Sequence, residues 1–165
     1  MSVILRPYLQ SEFDRACEIR EIDSDDRRER FRLRFEKSDD WYDHYFHLAI
    51  ESDGELVGDF QLRKCDKTMP EGSWEMGLEI AAESRGKGIG TKALIAGTEY
   101  AFAHGAHRVQ GSTEESNIAM RRSFDKAGWK FEGVQKALFL EAGIPVDYYS
   151  YAATKLINGG LAHTK

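Results

Sequence analysis

The spacing of hydrophobic and polar positions predicts a run of strands in the first half of the chain. Apolar and polar residues alternate in "FHLAIES" (46–52), "ELVGDFQLRKC" (55–65) and "SWEMGLEIA" (73–81), which is typical of strands with one buried face. The dipeptide Asp53-Gly54 between the first two segments favours a tight hairpin turn. The three segments are therefore predicted to form a meander.

Helical spacing is found on both sides of this meander. Residues 10–37 are predicted to be helical, with a break near "DSDD" where Ser24 and Asp25 are possible caps of a second helix. Segments 89–105 and 117–128 each end in glycine, which is the usual residue just after a helix. The remaining segments are predicted to be strands: 3–8, 107–113, and the two arms of a final hairpin across 129–154.

The order of these elements predicts the fold class. A strand, helices, three strands, a helix, a strand, a helix and a closing hairpin imply a mixed α/β sheet with helices on both faces. A chain of 165 residues is long enough for one core, so we predict a single domain over residues 1–165.

Composition excludes several classes of protein. Hydrophobic residues make up 41% of the chain and charged residues 31%, as in folded domains rather than disordered ones. No apolar stretch reaches the ~20 residues that cross a bilayer, and the N-terminus has no signal-peptide pattern, so we expect a cytoplasmic protein without a membrane partner. The net charge of -5 disfavours nucleic acid as the main partner. Cys17 and Cys65 lack metal-binding spacing, and no metal site is predicted.

The segment "ESRGKGIGTKAL" (83–94) predicts an anion site. It follows a predicted strand and opens a predicted helix, where free backbone N–H groups and the helix dipole favour a phosphate. The P-loop pattern GxxxxGK[ST] is not met, and the dinucleotide pattern GxGxxG fails because Thr91 stands where its third glycine belongs. A glycine-rich turn without a ligand is the remaining structural alternative.

Two motifs together resemble the GNAT superfamily of acyl-CoA-dependent N-acyltransferases. "RGKGIG" (85–90) fits its R/Q-x-x-G-x-G/A signature, and "ESNIAMRRSFDKAGWKFEG" (115–133) is similar to its second signature, an asparagine that opens a helix. The resemblance covers nearly the whole chain and is greatest to the branch that acetylates ribosomal-protein N-termini. It implies a mostly antiparallel sheet of about six to seven strands, with two strands splayed at the cofactor site, and it makes a homodimer possible.

The resemblance also implies which residues bind acetyl-CoA. The backbone from Arg85 to Thr91 would hold the pyrophosphate, and Ile80 and Ala81 would pair with the pantetheine arm. Asn117 would contact the same arm, although a plain helix cap explains this residue equally well. The predicted cofactor-binding residues are Ile80, Ala81, Arg85, Gly86, Lys87, Gly88, Ile89, Gly90, Thr91 and Asn117.

The catalytic groups of the best-known relatives are missing from this sequence. In the ribosomal alanine acetyltransferases a Glu and a Tyr occupy the positions that are Ser112 and Phe124 here, and Phe124 cannot donate a proton. We predict that Glu79 takes the ammonium proton through water and that Ser112 is a weaker, positioning candidate. Other candidates near the strand opening are Glu75, Glu114, Glu115, Ser123, Tyr148 and Tyr149.

The acceptor pocket is predicted from residues before the meander and on its third strand. Trp41 and Tyr45 belong to an aromatic cluster where family members often build this pocket, with core packing as the alternative. Glu75 has the same strand parity as Glu79 and is included in the predicted pocket.

The sequence therefore predicts an N-acetyltransferase that moves acetyl from acetyl-CoA to a primary amine, either a protein N-terminus or a small molecule. The missing Glu and Tyr leave a non-catalytic acyl-CoA-binding module as the alternative.

Overall fold

A computed structural model describes residues 2–64 and 68–155 of the chain. The strands are β1 (Val3–Arg6), β2 (Tyr45–Ser52), β3 (Glu55–Lys64), β4 (Ser73–Ile80), β5 (Arg108–Glu114), β6 (Lys130–Glu141) and β7 (Ile144–Thr154). The helices are α1 (Phe13–Ile19), α2 (Asp25–Glu36), α3 (Ile89–Ala103) and α4 (Ile118–Lys126), with short 3-10 helices at Gln10–Glu12 and Ala82–Ser84.

The strands form one seven-stranded sheet in the order β1-β2-β3-β4-β5-β7-β6. Neighbouring strands are antiparallel except β4 and β5, which are parallel. This arrangement confirms the predicted fold class, a mixed and mostly antiparallel sheet with helices on both faces. The prediction that residues 1–165 make one domain stays a prediction.

The parallel pair β4 and β5 separates soon after it begins. Its Cα partners run only from Ser73 with Arg108 to Glu75 with Gln110, although β4 continues to Ile80 and β5 to Glu114. The strands therefore open towards their C-terminal ends, which is the splay that the resemblance implied.

Two apolar layers hold the helices against the sheet. One cluster joins α3 and α4 to the sheet and includes Leu94 and Phe124 from the helices and Phe60 from β3. The other joins α1 and α2 to the opposite face and includes Phe13 and Phe35. Because side chains alternate along a strand, β2 and β3 contribute to both layers, whereas the apolar residues of β4 belong to the first layer.

Helices α1 and α2 lie over one side of their sheet face, with α1 against β3 and α2 against β2. On the same face, β4, β5 and β7 carry the polar residues Glu75, Gln110, Ser112 and Ser150. This half of the face is therefore polar, which is what a site for a polar ligand requires.

The ends of the helices follow the sequence signals. Ser24 immediately precedes α2, although its side chain makes no capping hydrogen bond. Gly105 and Gly128 follow α3 and α4 with positive φ angles of 105° and 82°, as expected of glycine just after a helix.

Three expectations from the sequence concern membrane spans, metal sites and the two cysteines. No helix in the described part of the chain is long and apolar enough to cross a membrane. Within the same residues, no group of three or more His, Cys, Asp or Glu side chains could hold a metal ion. Cys17 is buried, and Cys65 lies outside the described residues.

Candidate active site

A glycine loop connects β4 to α3 and turns its backbone towards the splayed strands. Gly86 and Gly88 have left-handed φ angles of 75° and 78°, which glycine adopts without the steric cost of a side chain. Gly88 is the N-cap of α3. The first hydrogen bond of the helix runs from the Lys92 N–H to the Gly88 carbonyl. The preceding N–H groups at the start of α3 are thus available to an anion.

A cleft of about 450 Å³ lies between this loop, the end of β4 and α4. Its lining residues are Leu78, Glu79, Ile80, Ser84, Arg85, Gly86, Gly88, Ile89, Gly90, Thr91, Asn117, Ala119, Met120, Arg122, Ser123 and Lys126. The volume falls in the range of small-molecule sites. We call it the loop cleft.

Eight of the ten residues predicted to bind the cofactor line the loop cleft; the other two, Ala81 and Lys87, do not. Ala81 is buried against the α1 and α2 layer, and its N–H donates to the Val57 carbonyl, so it is not available to a ligand. Lys87 is exposed on the outer side of the loop.

Three cations surround the loop cleft in a chain that is acidic overall. Arg85 lies at the glycine loop, where its Nε donates to the Ile80 carbonyl at 2.9 Å. Arg122 and Lys126 are one turn apart on α4 and both face the cleft. Neither has an ion-pair partner among the described residues. This local positive charge suits a ligand that carries several phosphates.

Asn117 is both a helix cap and a cleft residue. Its side-chain oxygen accepts a hydrogen bond of 3.1 Å from the Met120 N–H, which accounts for its place at the start of α4. Its side chain also lines the cleft, so the capping and ligand-contact interpretations are compatible.

Glu79 lies where the loop cleft meets the polar face of the sheet. Leu78 and Ile80 pack towards α3, and Glu79 projects from the opposite face at the alternate position while still lining the cleft. Partial burial raises the pKa of Glu79, an effect that the nearby Arg20 cation opposes and the Asp59 carboxylate reinforces. A carboxylate whose pKa is raised is a better proton acceptor near neutral pH than an ordinary one.

Asp59 lies beside Glu79 and is completely buried. The two residues are Cα partners on β3 and β4, and the exposed fraction of Asp59 is 0%. The Tyr8 hydroxyl donates to its Oδ1 at 2.6 Å, His47 Nδ1 lies 3.0 Å from the same oxygen, and Arg20 binds Oδ2. Burial alone would raise the pKa of Asp59, but its interactions with His47, the Arg20 cation and the Tyr8 hydroxyl hold it below its ordinary value.

A second cavity, of about 340 Å³, opens on the polar half of the α1 and α2 face. Five strands contribute to it: Arg63 from β3, Glu75 from β4, Gln110, Gly111 and Ser112 from β5, Ser150 from β7, and Glu132, Gly133, Val134 and Gln135 from β6. We call it the sheet-face cavity. It lies at the apex of the splay, on the opposite face of the sheet from α3 and α4.

The charged residues of the sheet-face cavity are largely paired. Arg63 Nε lies 3.4 Å from Glu75 Oε2, and Arg108 binds both oxygens of Glu132. Ser112, the second catalytic candidate, is exposed in this cavity and pairs across the strands with Ser150. Ser112 and Glu75 therefore share one cavity, whereas Glu79 lines the loop cleft.

Trp41 and Tyr45 do not line either of these two cavities. Trp41 packs against Phe46 and Trp74 at ring distances of 5.5 and 5.2 Å, so it belongs to the layer beneath α3. Tyr45 lies under the Arg34 guanidinium, 3.6 Å from its ring centre. Both side chains therefore pack against other residues of the protein, which is the alternative to an acceptor pocket.

Phe124, at the family's tyrosine position, is a core residue. It is 1% exposed and stacks on Tyr151 at 4.7 Å. The nearest hydroxyl along α4 is that of Ser123, which lines the loop cleft and donates to the Ala119 carbonyl at 3.0 Å. Tyr148 and Tyr149 instead donate to Glu141 and Glu115. Ser123 is thus the protein hydroxyl best placed to meet a ligand in the cleft.

The sequence model of the Acetyltransferase (GNAT) family matches residues 16–129. This range includes the loop cleft and all of the sheet-face cavity except its residues from β6 and β7. The chain belongs to this family. The recognition of a GNAT protein from its glycine and asparagine motifs is thereby confirmed. A comparison with curated protein sequences found no match.

Solved structures with the GNAT fold resemble the whole described sheet. A ribosomal-protein-alanine N-acetyltransferase from Brucella melitensis is 19% identical, with 92% of this chain and 99% of that chain covered and a TM-score of 0.74. The microcin C7 self-immunity acetyltransferase MccE, solved with acetyl-CoA and AMP, is 15% identical over 93% and 92%, with a TM-score of 0.76. A spermidine N-acetyltransferase chimera from Vibrio cholerae and hSSAT is 17% identical over 93% and 96%, with a TM-score of 0.74.

Some cleft residues of this GNAT protein were missed by the sequence analysis. Arg122 and Lys126 stand four residues apart in the second motif, a spacing that places both on one face of a helix. The spacing was visible in the sequence, but the cleft that these two side chains face was known only once α4 was placed beside the glycine loop. Ser123, by contrast, was already among the candidates near the strand opening.

Proposed function

We propose that this GNAT protein transfers an acetyl group from acetyl-CoA to a primary amine. One observation carries the proposal: a cation-rimmed glycine cleft and a polar cavity open on opposite faces of the sheet, on either side of the splay between β4 and β5. The donor would occupy the loop cleft, and the acceptor amine the sheet-face cavity.

The residues of the loop cleft fit acetyl-CoA. The left-handed Gly86 and Gly88 leave room for a pyrophosphate beside the free amides of α3, and Arg122 and Lys126 add positive charge. The unpaired edge of β4 after Glu75 offers backbone groups to an extended amide chain such as pantetheine. When bound, acetyl-CoA supplies the acetyl group as a reactive thioester.

In the proposed reaction the acceptor's nitrogen forms a bond to the acetyl carbon, and the bond from that carbon to sulfur breaks. Glu79 takes the ammonium proton through a water molecule, because the residue lines the loop cleft while its side chain projects from β4 on the face of the sheet-face cavity. The nitrogen loses a second proton as the amide forms, and this proton passes through water or the Ser123 hydroxyl to the departing thiolate. Ser112 and Glu75 would contact the acceptor in the sheet-face cavity.

The class of amine is open, because the similar structures include a ribosomal-protein-alanine and a spermidine acetyltransferase. The cytoplasmic location and the homodimer expected from the sequence stay predictions. The outer hairpin of β6 and β7 carries the exposed apolar side chains that such a dimer interface would bury: Leu138, Phe139, Leu140 and Ile144.

The first test measures thermal unfolding of the protein with acetyl-CoA, CoA, ATP or NADPH, followed by release of free CoA thiol in a panel of amines. A ligand at about a hundred times its dissociation constant stabilises the folded state by roughly 2.7 kcal/mol. We expect the two CoA species alone to stabilise the protein and at least one amine to release thiol. Stabilisation by ATP or NADPH instead would contradict the proposed donor site.

Replacing Gly88 with Ala is expected to weaken acetyl-CoA binding roughly tenfold or more, about 1.4 kcal/mol. A side chain at φ 78° strains the loop that presents the amides. Gly54→Ala is the matched control, because Gly54 also has a positive φ, 91°, and open space around it, but lies in the turn between β2 and β3. Both variants should lose similar folding stability, about 1–2 kcal/mol, and calorimetric titration should detect weaker binding only for Gly88→Ala.

A non-catalytic acyl-CoA-binding module is the second candidate, favoured by the buried Phe124 in place of a proton donor. This candidate predicts tight binding of acetyl-CoA and no thiol release with any amine. Turnover that depends on Glu79 would exclude it.

A further inference from the structure

The completely buried Asp59 and its three partners have no part in the reaction as described so far. They join the segment after β1 (Tyr8), β2 (His47) and the residue that follows α1 (Arg20) at one carboxylate. A buried ion pair of this kind is weak evidence for stability by itself, because desolvation of the charges offsets their attraction. Its position beside Glu79 suggests another role.

Arg20 is held in place from two sides. Its guanidinium binds Asp59 Oδ2 and lies 5.0 Å from the centre of the Phe31 ring. The side chain retains 19% exposure, so the group reaches from the buried carboxylate towards the surface at Glu79. Arg20 is the last residue of the α1 region before Glu21, whose left-handed φ of 51° turns the chain away.

Four charged groups surround Glu79. Arg20 and Glu21 come from the end of α1, Asp59 from β3, and Arg85 from the glycine loop. After burial, which raises the pKa of Glu79, the Arg20 cation is the largest influence and lowers it, while Asp59 raises it. Each of the two groups shifts the pKa of the other, since the Glu79 carboxylate also raises the pKa of Arg20.

We propose that Arg20, fixed by Asp59 beside Glu79, is a positioning residue that acts through Glu79 and keeps its carboxylate ionised for the acceptor amine. The proposal rests on the proposed function, in which Glu79 accepts the proton. Asp59 acts through Arg20: it holds the cation at Glu79 and limits how strongly that cation stabilises the carboxylate.

The test is a carboxyl-detected NMR titration of Glu79, assigned by its loss in Glu79→Gln, together with the pH dependence of kcat/KM. Arg20→Gln removes the cation, so the titration midpoint of Glu79 and the acidic limb of the rate profile should both move up by about 0.5–1 pH unit. Asp59→Asn removes an anion and leaves Arg20 uncompensated, so both should move down. Residues that merely hold α1 on the sheet would not give opposite shifts.

Two further variants separate charge from packing. Arg20→Lys keeps the cation, so it should leave the Glu79 midpoint near that of the wild type. Tyr8→Phe removes a hydrogen bond to Asp59 but no charge, so it should lower the unfolding temperature without moving the midpoint. If Asp59→Asn does not fold, the two Arg20 variants still decide the question.

The NMR titration requires no turnover, so the two proposals can fail separately. A Glu79 midpoint that does not move in Arg20→Gln would overturn the role of Arg20, whatever the activity. A midpoint that moves as expected, in a protein whose kcat is unchanged by Glu79→Gln, would overturn the role of Glu79 and with it the positioning role of Arg20 in the reaction.

Discussion

Glu79→Gln is expected to slow acetyl transfer by about 10²–10³-fold, the usual contribution of a general base. The amide has nearly the shape of the carboxylate but cannot take a proton from the acceptor ammonium. Glu79 lines the loop cleft, and its side chain projects from the sheet face opposite to the cleft's apolar wall, the face on which the sheet-face cavity opens. Acetyl-CoA affinity should be unchanged, because the phosphate-binding loop is untouched. Steady-state kinetics with the best amine of the panel, combined with calorimetric titration of acetyl-CoA, measures both quantities.

Two control variants make this result specific. Glu99→Gln replaces an exposed glutamate on α3 and should leave kcat at the wild-type value. Glu75→Gln alters the sheet-face cavity and should raise KM for the amine more than it lowers kcat. If Glu75→Gln lowered kcat by the larger factor, the proton acceptor would be Glu75 and the assignment of Glu79 would be withdrawn.

Asp59→Ala is expected to reduce the free energy of unfolding by about 3–5 kcal/mol, because it leaves a buried cation without its partner. The Tyr8 hydroxyl and the His47 ring also lose their acceptor. A loss of this size is a large part of the 5–15 kcal/mol that stabilises a typical domain. Guanidinium unfolding at pH 7 measures it.

Asp23→Ala is the matched control for Asp59→Ala. Asp23 forms an exposed ion pair with Arg27 at 3.2 Å, and exposed pairs contribute little to stability. The unfolding midpoint of this variant should equal that of the wild type. A comparable loss in both variants would mean that burial of Asp59 has no special effect.

The contribution of Asp59 to stability should also depend on pH in a defined direction. Its pKa is lower in the folded protein than in the unfolded chain, where it is about 3.9. The unfolded state therefore binds the proton first, and the stabilisation is complete above about pH 4 and is lost as the pH falls through the folded-state pKa. The difference in stability between wild type and Asp59→Ala should accordingly shrink only in strong acid.

Local signals in the sequence were sufficient for the fold class and for the glycine loop. The strand and helix boundaries followed from alternation and from terminal glycines such as Gly105 and Gly128, which act within a few residues of chain. The glycine loop is likewise contiguous, so Gly86 and Gly88 were found directly. Ala81 was misplaced because its N–H is taken by Val57, a strand partner that the motif does not contain.

The acceptor side could not be predicted in the same way. The sheet-face cavity is assembled from five strands, so Arg63, Gln110 and Glu132 meet only after the sheet has formed. Trp41 was predicted to line a pocket from the family resemblance, with core packing as the alternative, and its ring packs against Phe46 and Trp74 at the edge of the core. The buried contact of Asp59 with Tyr8 joins residues 51 positions apart, and no local pattern indicates it.

The placement of the two cavities on opposite faces of one sheet affects how such a protein can diverge. The loop cleft depends on one continuous loop and two helices, whereas the sheet-face cavity depends on strand side chains and on the outer hairpin of β6 and β7. Substitutions in the hairpin can therefore accumulate without disturbing the glycine loop. With the two cavities as donor and acceptor sites, as proposed, a donor site can be inherited intact while descendants acquire new acceptors. The loop cleft accordingly has a recognisable motif in the sequence, and the sheet-face cavity has none.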